Sequence, residues 1–317
     1  MKDVNQKNVV VIGGGTGLAV ALRGLKKKNF RLTTIVTVAD DGGSSGKLRD
    51  ELDMLPPGDI RNVLVSLADT EPTLEKLLQH RFSKGEGLAG HNVGNLLIAA
   101  MQEITGDFVL AIKELSKVLA VKGEVLPATL QKIVLSAEFE DGTIIKGESK
   151  IPNIGKKIKR VFIEPNDVLP LDEAVNAINS ADAILLGPGS LYTSIIPNLL
   201  VEELRKAIIA SSAKKIYICN LMTQPGETDN YTAMDHVTAI EEHVGEKFIE
   251  YIILNKDNIP NDIIEKYSLM GAIQVKNEEE QLINNGYNVI IEDLIYYNNN
   301  YLRHDTEKLA DIVLSII

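Results

Sequence analysis

The chain of 317 residues has one cysteine, no tryptophan and only 5% aromatic residues. With Cys219 alone no intramolecular disulfide can form, and a reducing compartment is the expectation. The thiol ends the apolar run Lys215-Ile216-Tyr217-Ile218-Cys219, which reads as a buried strand rather than as the setting of a nucleophile. The five histidines are scattered, and His236 and His243 lack the HxxxH or HxxE spacing of a metal site, so a structural zinc is rejected and no metal ligand is assigned. Long hydrophobic runs are missing too. No segment approaches the ~20 apolar residues that span a bilayer, and three consecutive glycines interrupt the Val9 to Leu25 stretch that otherwise resembles a signal sequence. The expectation is a cytoplasmic protein with no membrane partner. Positive charge is also short, with 33 Lys and Arg against 44 Asp and Glu and a net charge of -11. Such a chain repels a polyanion in bulk, so no nucleic-acid partner is expected and any phosphate must be held by local devices.

What is present suits a globular α/β protein: 44% hydrophobic residues can bury a large core. Val9-Val10-Val11-Ile12 is an unbroken β-branched run, as in a parallel strand buried on both faces. Leu18, Ala19, Ala21, Leu22 and Leu25 then recur at helical spacing, and Leu32 to Val38 restores a strand, which together make a βαβ unit. From Asp59 to Leu119 the pattern is mostly helical. Leu130 to Glu148 reads as strands joined at Asp141-Gly142, followed by a basic, loop-like stretch from Lys146 to Arg160, so a β-rich insertion is expected at about residues 125–165. A second α/β half follows, with a helix at Leu171 to Ile178 and strands at Ala183 to Leu186, Lys215 to Asn220 and Tyr251 to Asn255. Asp305 is expected to cap a C-terminal helix.

The chemistry-bearing segments are polar loops beyond strand ends. Gly13-Gly14-Gly15-Thr16-Gly17 joins the first strand to its helix, whose free N–H groups can face a phosphate. The dinucleotide fingerprint wants its third glycine where Leu18 stands, and no Gly-Lys-Ser/Thr follows, so neither familiar motif is met. Asp40 and Asp41 precede Gly42-Gly43-Ser44-Ser45-Gly46. They suit a ribose hydroxyl, Mg²⁺ beside a diphosphate, a general base, or merely a loop that caps the next helix. Asp59 is a candidate N-cap and Arg61 a candidate phosphate clamp. His91 suits phosphate binding or loop packing, while the amides of Asn92 and Asn95 can read a base edge or a sugar hydroxyl. Gly187-Pro188-Gly189-Ser190 repeats the first device, so that two turns can clamp one diphosphate, and Asn220 to Thr228 adds a polar loop at the same sheet edge.

In this order, Gly13 to Gly17, Asp40 to Gly46, Pro56 to Asn62, His91 to Asn95, Gly187 to Ser194, Thr223 to Thr228 and Arg303-His304-Asp305, the chain resembles the gluconeogenesis-factor (YvcK) proteins. These are a branch of the 2-phospho-L-lactate transferase (CofD-like) superfamily. The resemblance implies a Rossmann-like three-layer αβα fold with a mostly parallel sheet, built as one domain over residues 1–317. It implies a UDP-sugar ligand such as UDP-N-acetylglucosamine, and a role linking carbon metabolism to cell-wall synthesis and cell shape. The two glycine turns then surround the diphosphate, with Asp40, Asn220, Thr223, Tyr267 and Arg303 as further ligand-binding candidates. Regulatory protein partners and an oligomer fit the same picture. The alternative is a transferase that joins a phospholactyl group to a deazaflavin precursor, and Mg²⁺ enters only under that alternative. No separate signal for a deazaflavin site is found. An NAD-linked oxidoreductase ranks third, since no nicotinamide pocket can be located.

Overall fold

A computed structural model describes residues 6–69, 71–256, 259–298 and 301–317. Strand β1 (Lys7–Gly13), helix α1 (Gly15–Leu25) and strand β2 (Phe30–Val36) form the expected unit, with β1 and β2 parallel. Val9 to Ile12 are buried, and Leu18, Ala21, Leu22 and Leu25 carry the apolar face of α1 onto the sheet. The helical third contains α2 (Gly43–Glu51), α3 (Gly58–Leu67), α4 (Pro72–Gln79), α5 (Val93–Thr105) and α6 (Phe108–Val118).

Strand β3 (Glu124–Pro127) joins the main sheet beside β2, so the insertion proper begins later than the sequence suggested. It is an antiparallel sheet of β4 (Val134–Phe139), β5 (Ile144–Lys146) and β6 (Ile158–Glu164), with the turn at Asp141-Gly142 as expected. The basic stretch read as a loop contains a 3-10 helix, Glu148–Ile154, which anchors Ile151 in the core. Then come α7 (Asp172–Asn179), β7 (Ala183–Leu186), a π-turn at Leu191–Ile195, α8 (Ile196–Leu199), α9 (Glu202–Ala210), β8 (Lys214–Ile218), α10 (Ala233–Val244) and β9 (Tyr251–Asn255). The chain closes with α11 (Asn261–Ser268), α12 (Glu279–Asn284), β10 (Asn288–Glu292), the hairpin β11 (Ile295–Asn298) and β12 (Tyr301–His304), and α13 (Thr306–Ile316).

The main sheet has seven parallel strands in the order β10-β9-β8-β7-β1-β2-β3. The chain builds outward from β1 through β2 to β3, and from β7 through β8 and β9 to β10. Direction therefore reverses between β1 and β7, and right-handed crossovers put α1 and the α8–α9 connection on opposite faces of this Rossmann-like sheet. Helix α1 packs against α3 and α13. Gly24 makes that second contact feasible, because a Cβ there would fall 1.9 Å from the carbonyl oxygen of Thr306. Asp305 accepts the amides of Glu307 and Lys308 at 3.1 Å and so caps α13 as expected. No single described helix is long and apolar enough to cross a membrane.

Candidate functional site

Open parallel sheets bind ligands where strand order reverses, outside the carboxyl ends of the strands. Here that point lies between β1 and β7, and each strand ends in a glycine turn. The turns touch. A Cβ on Gly17 would approach the Pro188 carbonyl oxygen to 2.9 Å, and one on Gly189 would approach the Gly14 carbonyl oxygen to 3.2 Å. Gly15 at φ +68° and Gly187 at φ +79° supply the left-handed backbone that bends the chain into these turns. Above them opens a cleft of about 270 Å³ lined by Thr16, Gly17, Ser190, Asn220, Tyr267 and Arg303, among others. Past Arg303 and His304 it adjoins a larger cavity of about 850 Å³ beside the β11–β12 hairpin.

Most of the cleft's polar side chains are held by partners. Asn220 donates to the Gly189 carbonyl at 2.9 Å and accepts the Gly189 amide at 3.3 Å, fixing that peptide in the turn. The Ser190 hydroxyl donates to Gln224 Oε1 at 2.7 Å, and Gln224 Nε2 donates to Glu227 at 2.6 Å. Tyr267 accepts the Leu302 amide at 2.8 Å, tying α11 to the hairpin. Arg303 donates to the Leu302 carbonyl at 2.9 Å and lies 5.2 Å from the Tyr301 ring centroid. No carboxylate among the described residues pairs with it, because Asp305 serves as the α13 cap. His304 is buried against the Cys219 carbonyl at 3.1 Å, and burial pulls its imidazole down to about 4, so the ring is neutral and donates there. Cys219 is buried, and that burial pushes the thiol up to about 12, in keeping with a structural role.

Several expected site residues stand elsewhere. Thr223 is buried and exchanges hydrogen bonds with Ile273, donor to its carbonyl and acceptor of its amide, at 2.7 and 3.0 Å. Asp40, Asp41, His91, Asn92 and Asn95 do not line the cleft; they gather beside it around α2, α3 and α5. Asp40 accepts the Gly42 amide and Asp41 the Ser149 amide, each at 2.9 Å. His91 faces the Ser44 hydroxyl at 3.3 Å, Asn92 caps α5 through the amides of Gly94 and Asn95, and Asn95 accepts from Arg61 at 3.2 Å. Gly13 and Gly187 do not line the cleft.

Asp59 is not an N-cap: α3 begins at Gly58 after Pro57, and the Asp59 side chain crosses to the start of α1. A Cβ on Gly14 would sit 2.3 Å from Asp59 Oδ2, and the Gly15 amide faces this carboxylate. Gly14 is thus required by Asp59 and by Thr37, not by an incoming phosphate alone. Desolvation and neighbouring Asp40 push Asp59 up to about 6 despite Gly15, Arg61 and Asn62. Glu148, carried in by the insertion, is pushed up to about 8 by burial and by Asp40, Asp59, Glu227 and Asp41. Among the described residues no three His, Cys, Asp or Glu side chains are grouped to hold a metal ion, so a cage made wholly of protein ligands for Mg²⁺ is not built. Sequence reasoning passed over Gln224, Glu227, Glu148 and His304 as functional residues. The one signal in reach was the crowded run Thr223-Gln224-Pro225-Gly226-Glu227-Thr228.

Residues 9–295 match the family model described as 2-phospho-L-lactate transferase CofD. The chain is 53% identical over 309 residues to the gluconeogenesis factor of Bacillus subtilis (strain 168), covering 98% of each protein. It is likewise 53% identical over 311 residues to the gluconeogenesis factor of Halalkalibacterium halodurans, covering 98% of this chain and 97% of that one. A crystal structure of a UPF0052 family member from Bacillus halodurans superposes with a TM-score of 0.94 at 53% identity, covering 98% of this chain and all of that one.

Proposed function

For a chain that belongs to the CofD family and, within it, to the gluconeogenesis factors, we propose that the switch-point cleft binds a nucleotide sugar of the UDP-N-acetylglucosamine kind. On this reading the protein is a regulatory factor that reports carbon supply to cell-wall synthesis in the cytoplasm. The observation that carries it is the convergence of two glycine turns, the Thr16 hydroxyl and the carboxylate-free guanidinium of Arg303 on one cleft. Backbone amides at the start of α1 and a guanidinium are the donors that a diphosphate requires. The adjoining cavity beside Tyr296 and Tyr301 gives room for the rest of an elongated ligand. A second reading, transfer chemistry of the phospholactyl type, draws on one feature: Asp40 beside Asp59, and both beside Glu148, help burial to raise the proton affinity of Asp59 and Glu148. Such a group can take a proton from an attacking hydroxyl.

Calorimetry with UDP-N-acetylglucosamine, combined with a multiple-turnover assay for released UDP or sugar phosphate, tests both. Saturable binding without turnover is expected. Absence of binding by any nucleotide sugar removes the first reading, and steady turnover abolished by Asp40→Asn replaces it with the second.

A further inference from the structure

Glu227 lies under the Gly187–Ser190 turn, 2% exposed. Its carboxylate accepts the Thr193 hydroxyl at 3.0 Å, the Tyr192 amide at 3.3 Å and Gln224 Nε2 at 2.6 Å. An ionised carboxylate can only accept. The Gln224 amide must therefore turn its NH₂ toward Glu227 and its carbonyl toward Ser190. Ser190 in turn has a single hydroxyl proton, and the Gln224 carbonyl takes it at 2.7 Å. With Glu227 charged, the half-buried Ser190 faces the cleft with lone pairs only, the wrong polarity for a phosphate oxygen.

We propose that Glu227 and Gln224 are positioning residues that set the donor sense of Ser190, so that binding of a diphosphate in the cleft is coupled to uptake of one proton from solvent by Glu227. The inference rests on the nucleotide-sugar reading above. The proton balance closes without any other reactant. A solvent proton makes Glu227 a carboxylic acid, which donates to Gln224 Oε1. The amide turns over, its NH₂ donates to Ser190 Oγ, and the Ser190 O–H is released to the phosphate oxygen. Burial already holds Glu227 up at about 7, so the exchange falls near neutral pH. The groups around it are acidic or neutral: Glu148 from the 3-10 helix, Tyr192 from the π-turn and Asp229, which accepts the Gly226 amide in the same loop. No cationic side chain among the described residues offsets its charge.

The test is calorimetric titration of UDP-N-acetylglucosamine at several pH values in buffers of different ionisation heat. This probe is a diphosphate diester and does not itself titrate near neutrality. Wild type is expected to take up close to one proton per ligand at about pH 8, with Kd rising ~tenfold per pH unit above the Glu227 value. Ser190→Ala, a change at a half-buried turn position that leaves the core intact, and Glu227→Gln, which can donate to Gln224 at every pH, should both bind with a flat pH profile. Binding by wild type without proton uptake overturns the inference alone. Uptake that persists in both variants assigns the proton to Asp59 or Glu148 and also overturns it. Failure of wild type to bind any UDP-sugar overturns the functional reading and this inference with it.

Discussion

Asp59→Asn probes a carboxyl group held above its ordinary range beside the site. The carboxylate is half-buried at the start of α1, beside Asp40, and is held at about 6 against an ordinary value of 3.8. A carboxyl that ionises less readily in the folded protein than in the unfolded chain binds more protons when folded. Stability is therefore highest at low pH and falls as the pH rises from the unfolded value through about 6. At ~1.4 kcal/mol per pH unit of difference, the charge at Asp59 destabilises the fold by up to about 3 kcal/mol above neutrality, less whatever solvent contact screens. Asparagine keeps the shape and still accepts from the Gly15 amide, while its NH₂ can donate toward Asp40. The variant is expected to equal wild type in urea unfolding at about pH 4 and to exceed it by ~1–3 kcal/mol at about pH 8. A variant less stable than wild type at the higher pH would refute this argument, because it would mean that the Asp59 charge is favourably compensated in the fold.

Two further outcomes are expected. Arg303→Ala removes the guanidinium without a carboxylate partner from the cleft and should weaken UDP-N-acetylglucosamine binding by ~1.5–3 kcal/mol, or ~10- to 150-fold, in calorimetry; equal dissociation constants would remove Arg303 from the site. Gly17→Ala drives a methyl group toward the Pro188 carbonyl, 2.9 Å from the ideal position, and should lose ~1–3 kcal/mol in chemical denaturation as the two glycine turns are forced apart.

Local signals carried much of the fold to the reader of the sequence. Val9 to Ile12 announced a doubly buried strand because no polar residue breaks the run, and Asp305 announced a cap because its side chain serves amides two and three residues on. The glycine turns were legible as candidate ligand loops for the same reason. Features that depend on distant chain segments were not. Asp59 reads as a cap for α3, yet its carboxylate faces the Gly15 amide at the head of α1. Asn220 to Thr228 reads as a polar loop at the ligand edge of the sheet, but the pairing of Gln224 with Glu227 and Ser190 within it shows only once the chain is folded. Glu124 to Pro127 was grouped with the insertion because four residues cannot reveal which sheet they join, and pairing with β2 decides it. Half-exposed β10 shows too little apolar patterning to stand out from its polar surroundings.

The pairing of β1 with β7 sets an order on folding. Val9 lies beside Ala183, so one edge of β1 has no partner until synthesis has reached Ala183. Closing so long a loop carries a large entropy loss before any contact offsets it, and a waiting apolar edge is a point of entry for aggregation. Residues 14–17 reach their final surroundings only when Pro188, Asn220, Tyr267 and Arg303 arrive in turn. The cleft is accordingly completed only when Arg303 is in place, and chains truncated before Pro188 should lack it although they retain the whole βαβ unit.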